Sequence, residues 1–166
     1  MSELPALEDE INEVLKMGSL NHGIVQGQII GLFFTDKRFR AISQLSLDTN
    51  QIDLTQFGIK TKKELIPDIC IYPNTLKRKR RDVLRMLEMP LLAIEVVSPQ
   101  QGIEEILAKF DAYFALGVKS CWLVVPSMEV LDIYSQPDQH HTFDLADTEI
   151  VDEVLDIKLP FPEIFG

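Results

Sequence analysis

Two carboxylates stand where apolar strands do not call for them. Asp68 lies in Ile66-Pro-Asp-Ile-Cys-Ile-Tyr72, and Glu95 lies in Pro90-Leu-Leu-Ala-Ile-Glu-Val-Val-Ser-Pro99. Both runs read as short, mostly apolar strands. An ionised carboxylate in a packed strand is costly unless a hydrogen-bond donor or a metal ion compensates it. Two of them on consecutive strands suggest a single metal site at a strand end. Two carboxylates with a backbone carbonyl and waters suit a hard divalent cation such as Mg²⁺. A site of that kind can activate water and offset charge on a phosphoryl group in transit. Lys109 is the third piece. It sits at the margin of a helical apolar stripe, where its long stem could follow the core and its ammonium reach the sheet edge.

The elements that must position these residues follow from periodicity. Leu4 to Met17 and Asn21 to Phe34 read as helices, and four-residue spacing puts Gly27 and Gly31 of the second on one face, where they allow close packing. Phe39 to Leu47 and Gln51 to Ile59 read as strands around Asp48-Thr49-Asn50. The two carboxylate strands come next, separated by a polar, basic loop or short helix over 74–88. Gly102 to Leu116 is the clearest helix, with Ile103, Ile106, Leu107, Phe110, Tyr113 and Phe114 in one stripe and Gly117 as its stop. Ser120 to Val125 has the unbroken apolarity of a strand covered on both faces. Val130 to Tyr134 follows as a strand. His141 to Leu145 and Glu149 to Leu155 read as peripheral strands, and Pro160 to Phe165 as a docking turn. The pattern predicts one α/β domain over 1–166, with N-terminal helices over 4–34, a core over about 38–134 and peripheral strands over 140–166.

Composition narrows the class. A hydrophobic share of 46% supports a real core, and the absence of a long apolar run predicts no membrane span. Met1-Ser-Glu-Leu-Pro lacks a basic stretch followed by an apolar one, so no secretory leader is expected, and a cytoplasmic location is. Cys70 and Cys121 sit in apolar runs without Cys-x-x-Cys spacing and read as buried free thiols. The net charge of −10 argues against diffuse affinity for nucleic acid. Its distribution says more: residues 60–85 hold nine of the sixteen lysines and arginines and only three acids. The run Lys77 to Arg81 is by default a solvated loop, with contact to nucleic-acid phosphates as the sharper alternative. His22 reads as a helix-start residue without chemistry, His140 and His141 as surface strand residues, and Trp122 and Tyr113 as core.

The ordered series Pro67-Asp68, Pro90, Glu95-Val96-Val97-Ser98-Pro99, Lys109, Tyr113, Gly117-Val118 and Trp122-Leu123-Val124 resembles the Uma-two-type restriction endonuclease family of the PD-(D/E)XK superfamily, which is common in cyanobacteria. The resemblance spans roughly Asn21 to Tyr134. It implies a restriction-endonuclease-like mixed sheet flanked by helices. It also implies Mg²⁺, or Mn²⁺, held by Asp68, Glu95 and the Val96 carbonyl. In the wider superfamily a lysine stands two residues after the acid; here that position is Val97. The family is similar in placing a lysine on the following helix, and Lys109 matches it. The family often has Ser or Thr and an acid after Ser-Pro, whereas this chain has Gln100-Gln101-Gly102, which implies an altered helix cap. A further acid on the N-terminal helix has no matching motif; Glu10 and Glu13 are nearby. The implied activity is hydrolysis of DNA phosphodiester bonds, with residues 77–85 on the nucleic acid and a homodimer as the assembly. The rival reading is a catalytically degraded nuclease fold that serves as a binding module. A third is a structural partner that dimerises through Leu159 to Phe165.

Overall fold

The computed structural model describes residues 19–59 and 64–166. The helix expected over Leu4 to Met17, with Glu10 and Glu13, lies outside them, as do Lys60, Lys62 and Lys63. The first described helix, α1, runs Leu20–Phe34. Ser19 caps it, its side chain accepting from the His22 amide at 3.3 Å. Its buried stripe is His22, Val25, Ile29 and Phe33, at helical spacing. Gly27 and Gly31 do share a face, but it is the open one: both are exposed, and a Cβ at either would meet nothing within 4 Å. Among the described residues they do not mediate close packing.

Six strands form one mixed sheet. They are β1 (Phe39–Ser43), β4 (Ile69–Pro73), β5 (Leu92–Val96), β6 (Ser120–Val125), β7 (Val130–Gln136) and β8 (Gln139–Phe143), adjacent in that order. The β5–β6 pair is parallel and the others are antiparallel. The parallel pair needs a crossover, which α2 (Ile103–Leu116) supplies. The sheet's edge strand β8 begins two residues before the expected start and joins the main sheet. Short strands β2 (Leu47–Asp48) and β3 (Glu64–Leu65) pair with each other. The strand expected over Gln51 to Ile59 is instead a 3₁₀ turn, Leu54–Phe57. Asp53 Oδ1 accepts from the Thr55 amide at 3.0 Å, and Gly58 takes a left-handed φ of 74°. These local caps outweigh β propensity there.

The sheet is covered on both faces. On one side α1 packs Val25, Ile29 and Phe33 against Ile69, Ile71, Ile94, Trp122 and Val124. A hairpin of β9 (Glu149–Asp152) and β10 (Ile157–Pro160), with α3 (Pro162–Phe165), completes that face. Leu159, Phe161 and Ile164 are buried in it, so these apolar side chains of the C-terminal segment pack within the chain. On the other side α2 packs Ile106, Phe110 and Tyr113 over Cys70, Ala93, Cys121 and Leu123. Ile103, at the start of the expected stripe, is 44% exposed. Both cysteines are buried free thiols. Double coverage explains the unbroken apolar runs of β5 and β6, and makes Glu95 conspicuous.

Candidate active site

The site lies where β4 begins and β5 ends. The β4–β5 ladder ends at the pair Ile69 and Ile94, so Asp68, just before β4, and Glu95, one residue past that pair, come together at this end of the two strands. Strand alternation turns Glu95 toward α2, the face that Ala93 also meets. There the Tyr113 hydroxyl donates to Glu95 Oε1 at 2.7 Å.

Glu95 is 2% exposed. Burial, and then the Asp68 carboxylate beside it, push its carboxyl up to about 8, against smaller opposing effects of Lys109 and Tyr113. Both influences favour the protonated form of Glu95. No arginine neutralises either acid among the described residues. Arg85 pairs with Glu64 at 3.4 Å, and Arg38 pairs with Asp36 at 2.8 Å. The other deeply buried acid, Asp152, shows what a structural carboxylate looks like. It accepts from Ser120 Oγ, Trp122 Nε1 and the amides of Val154 and Leu155 at 2.6–3.2 Å.

Asp68 is held from three elements. Its Oδ2 accepts from the Val96 amide at 2.8 Å and lies 3.2 Å from His22 Nε2 on α1. Its Oδ1 accepts from Gln44 Nε2 at 3.2 Å. Its carbonyl accepts from the Gln44 amide and from Gln26 Nε2, each at 3.2 Å. Gln44 has a left-handed φ of 54°, unusual for a residue with a side chain. The hydrogen bond to Asp68, more than any other influence, raises the His22 imidazole above its ordinary pKa.

Lys109 is half-buried on α2, one turn before Tyr113 and so on the same face. Its charge acts on Glu95, and it makes no direct ion pair among the described residues. Val97, at the position where the resemblance would place a lysine, packs partly buried against the α2-side core. Gly102 starts α2 without a side-chain cap, with Glu104 and Glu105 in the first turn instead. The basic residues Lys77 to Arg81 and Arg85 are all exposed on the loop between β4 and β5.

The acids Asp68 and Glu95 thus meet, Val96 joins them through its amide, and Lys109 stands nearby. His22, Gln26 and Gln44 were not anticipated, and Tyr113, expected only to pack, holds Glu95. One sequence signal was available for His22: it falls in line with Val25, Ile29 and Phe33 on the buried stripe. Trp122 is core as expected, and its indole N–H is satisfied by Asp152. His140 is exposed in β8, where its Nδ1 lies 2.7 Å from Asp132 Oδ1 and its ring stacks on Tyr134.

An all-oxygen donor set of two adjacent carboxyls, neither ion-paired with an arginine or lysine among the described residues, fits a hard divalent cation. Among the described residues no cluster of three or more His, Cys, Asp or Glu side chains forms a ready metal cage, so backbone carbonyl and water would have to complete the coordination. No helix of the described residues is long and apolar enough to cross a membrane.

The Uma2 family model, described as "Putative restriction endonuclease", matches residues 2–164. No curated protein matches. Among solved structures the chain is similar to a protein from Anabaena variabilis ATCC 29413 titled a "putative nuclease belonging to DUF820". The two are 17% identical, with a TM-score of 0.70, over 90% of this chain and 82% of that one. At that identity the likeness is one of fold: the mixed sheet and its flanking helices are shared.

Proposed function

The chain belongs to the Uma2 family, and on that footing we propose that it is a Mg²⁺-dependent endonuclease hydrolysing phosphodiester bonds of DNA. The observation that carries this reading is the meeting of Asp68 and Glu95 at a buried strand end with no arginine against either. Asp68, Glu95 and the Val96 carbonyl would hold the cation, with Mn²⁺ as a substitute. When bound, it would supply the positive charge that acidifies an attacking water and offsets charge on the phosphoryl group.

The chain's own residues have distinct tasks in this reading. Glu95 gives up its proton to become a ligand, so cation uptake releases a proton. Lys109 directs its ammonium toward the carboxyl pair, where it positions the water and attracts the scissile phosphate. Tyr113 keeps Glu95 in one rotamer. The exposed basic loop over 77–85 attracts the phosphate backbone, and the acidic remainder confines that attraction to one side. A two-fold dimer is the assembly that would cut both strands of a cytoplasmic duplex.

The test is cleavage of plasmid DNA with and without Mg²⁺. Asp68→Ala and Glu95→Ala are each expected to lose it. Activity at the wild-type level in both variants ends this reading. A second reading is favoured by Val97, which leaves an apolar side chain where the superfamily has its lysine: a nuclease fold that binds without cutting. Calorimetry with Mn²⁺ separates the two, because binding that disappears in Asp68→Ala disfavours a dead module.

A further inference from the structure

Helix α1 grips residue 68 at two points. His22 and Gln26 are one turn apart, so both side chains leave the same face of the helix. His22 Nε2 lies 3.2 Å from Asp68 Oδ2, and Gln26 Nε2 donates to the Asp68 carbonyl at 3.2 Å. The first turn is itself fixed, because Ser19 Oγ accepts from the His22 amide. His22 is 7% exposed, although it sits in the first turn of the helix. From the other side Gln44 reaches the same residue with both its amide and its side chain.

These contacts bear on a carboxylate that Glu95 repels once that neighbour ionises. Asp68 faces a second carboxyl, and rotation about its Cα–Cβ bond would carry it away from Glu95. The Val96 amide on Oδ2 and Gln44 Nε2 on Oδ1 resist that rotation within the sheet layer. From the α1 layer, His22 resists it. We infer that His22 is a positioning residue of this site: its Nε2–H donates to Asp68 Oδ2 and keeps that carboxylate turned toward Glu95. This rests on the proposed cation site. His22 is not itself a ligand in this scheme, since its nitrogen faces the carboxylate oxygen and no three-residue cage among the described residues includes it. Partners that orient a ligating group this way are worth about 10–100-fold in metal affinity.

Mn²⁺ binding to the purified full chain tests it, read as loss of the free-ion electron paramagnetic resonance signal without any DNA present. His22→Gln keeps an N–H donor at a similar reach. His22→Ala removes it. The expected result is that His22→Gln binds Mn²⁺ within about threefold of wild type, while His22→Ala binds about 10–100-fold more weakly. Circular dichroism confirms that each variant is folded. Wild-type affinity in His22→Ala overturns the positioning role and leaves the cation site standing. Equal weakening in His22→Gln and His22→Ala overturns it in favour of the imidazole as a direct ligand. Failure of the wild-type chain to bind Mn²⁺ sinks the cation site, and the positioning role with it.

Discussion

Tyr113 Oη donates to Glu95 Oε1 at 2.7 Å, with both side chains buried between sheet and helix. A hydroxyl from α2 thus holds an acid of β5 in a rotamer facing Asp68. Tyr113→Phe removes that donor and leaves part of a buried carboxyl unsatisfied. The expected loss is about 1–3 kcal/mol in urea unfolding at pH 7. Because the hydroxyl also opposes the upward shift of Glu95, the same variant should need a higher pH to bind Mn²⁺. An unchanged unfolding midpoint would contradict the hydrogen bond.

Stability of the metal-free chain should fall as pH rises. A carboxyl whose folded pKa is raised from 4.5 to about 8 weakens the folded state progressively across that interval, and fully above it. For a buried group the total is on the order of a few kcal/mol. His22 acts in the same direction: its contribution is complete below 6.5 and is lost as pH climbs through its higher folded value. Urea unfolding in chelator at pH 5.5 and 8.5 checks the sign. Greater stability at the alkaline end would contradict the upward shift of the Glu95 carboxyl.

Glu95→Gln keeps the shape of the side chain and removes the charge. In chelator at pH 8.5 this variant should melt at a higher temperature than wild type, and it should neither bind Mn²⁺ nor cleave DNA. Loss of activity with a lower melting temperature would mean that the acid is structural rather than poised for a cation.

Lys109→Met should reduce cleavage by about 10²-fold or more, the range for a positioned proton-transfer or water-orienting group. Its Mn²⁺ affinity should not weaken, because a positive charge leaves the neighbourhood of the ligands. Comparable cleavage by wild type and variant would assign Lys109 to the solvated rim of α2.

Alanine at all five positions from Lys77 to Arg81 should weaken DNA binding without affecting the fold, since every one is exposed in a loop. The log of the binding constant should also depend less steeply on the log of salt, by roughly 0.9 for each phosphate that the loop no longer neutralises. A salt slope equal to that of wild type would exclude the loop from the DNA interface.

Much of the core was legible in the chain itself. The spans of β5, α2 and β6 follow from local signals: an unbroken apolar run means two covered faces, and a 3.6-residue stripe ending at Gly117 means a helix with a left-handed stop. Asp68 and Glu95 stood out because an acid conflicts with the run around it. Signals failed where a local contact competed with the pattern. Asp53 and Gly58 turned an apparent strand into a 3₁₀ turn. The glycines of α1 share a face as their spacing requires, but spacing alone does not say which face is covered.

Reading the residues alone identified the carboxylates out of place in apolar runs and set them at strand ends, beside a helix, of an α/β domain. Those properties depend on neighbours within a few residues. Folding brings the two acids together at one end of β4 and β5, with Tyr113 holding one and His22 and Gln44 the other. Contacts between residues so far apart along the chain are created by strand register and by packing of α1 and α2 on opposite faces of the sheet. The raised pKa of Glu95 has the same origin, since burial and an adjacent carboxylate exist only once the layers have closed.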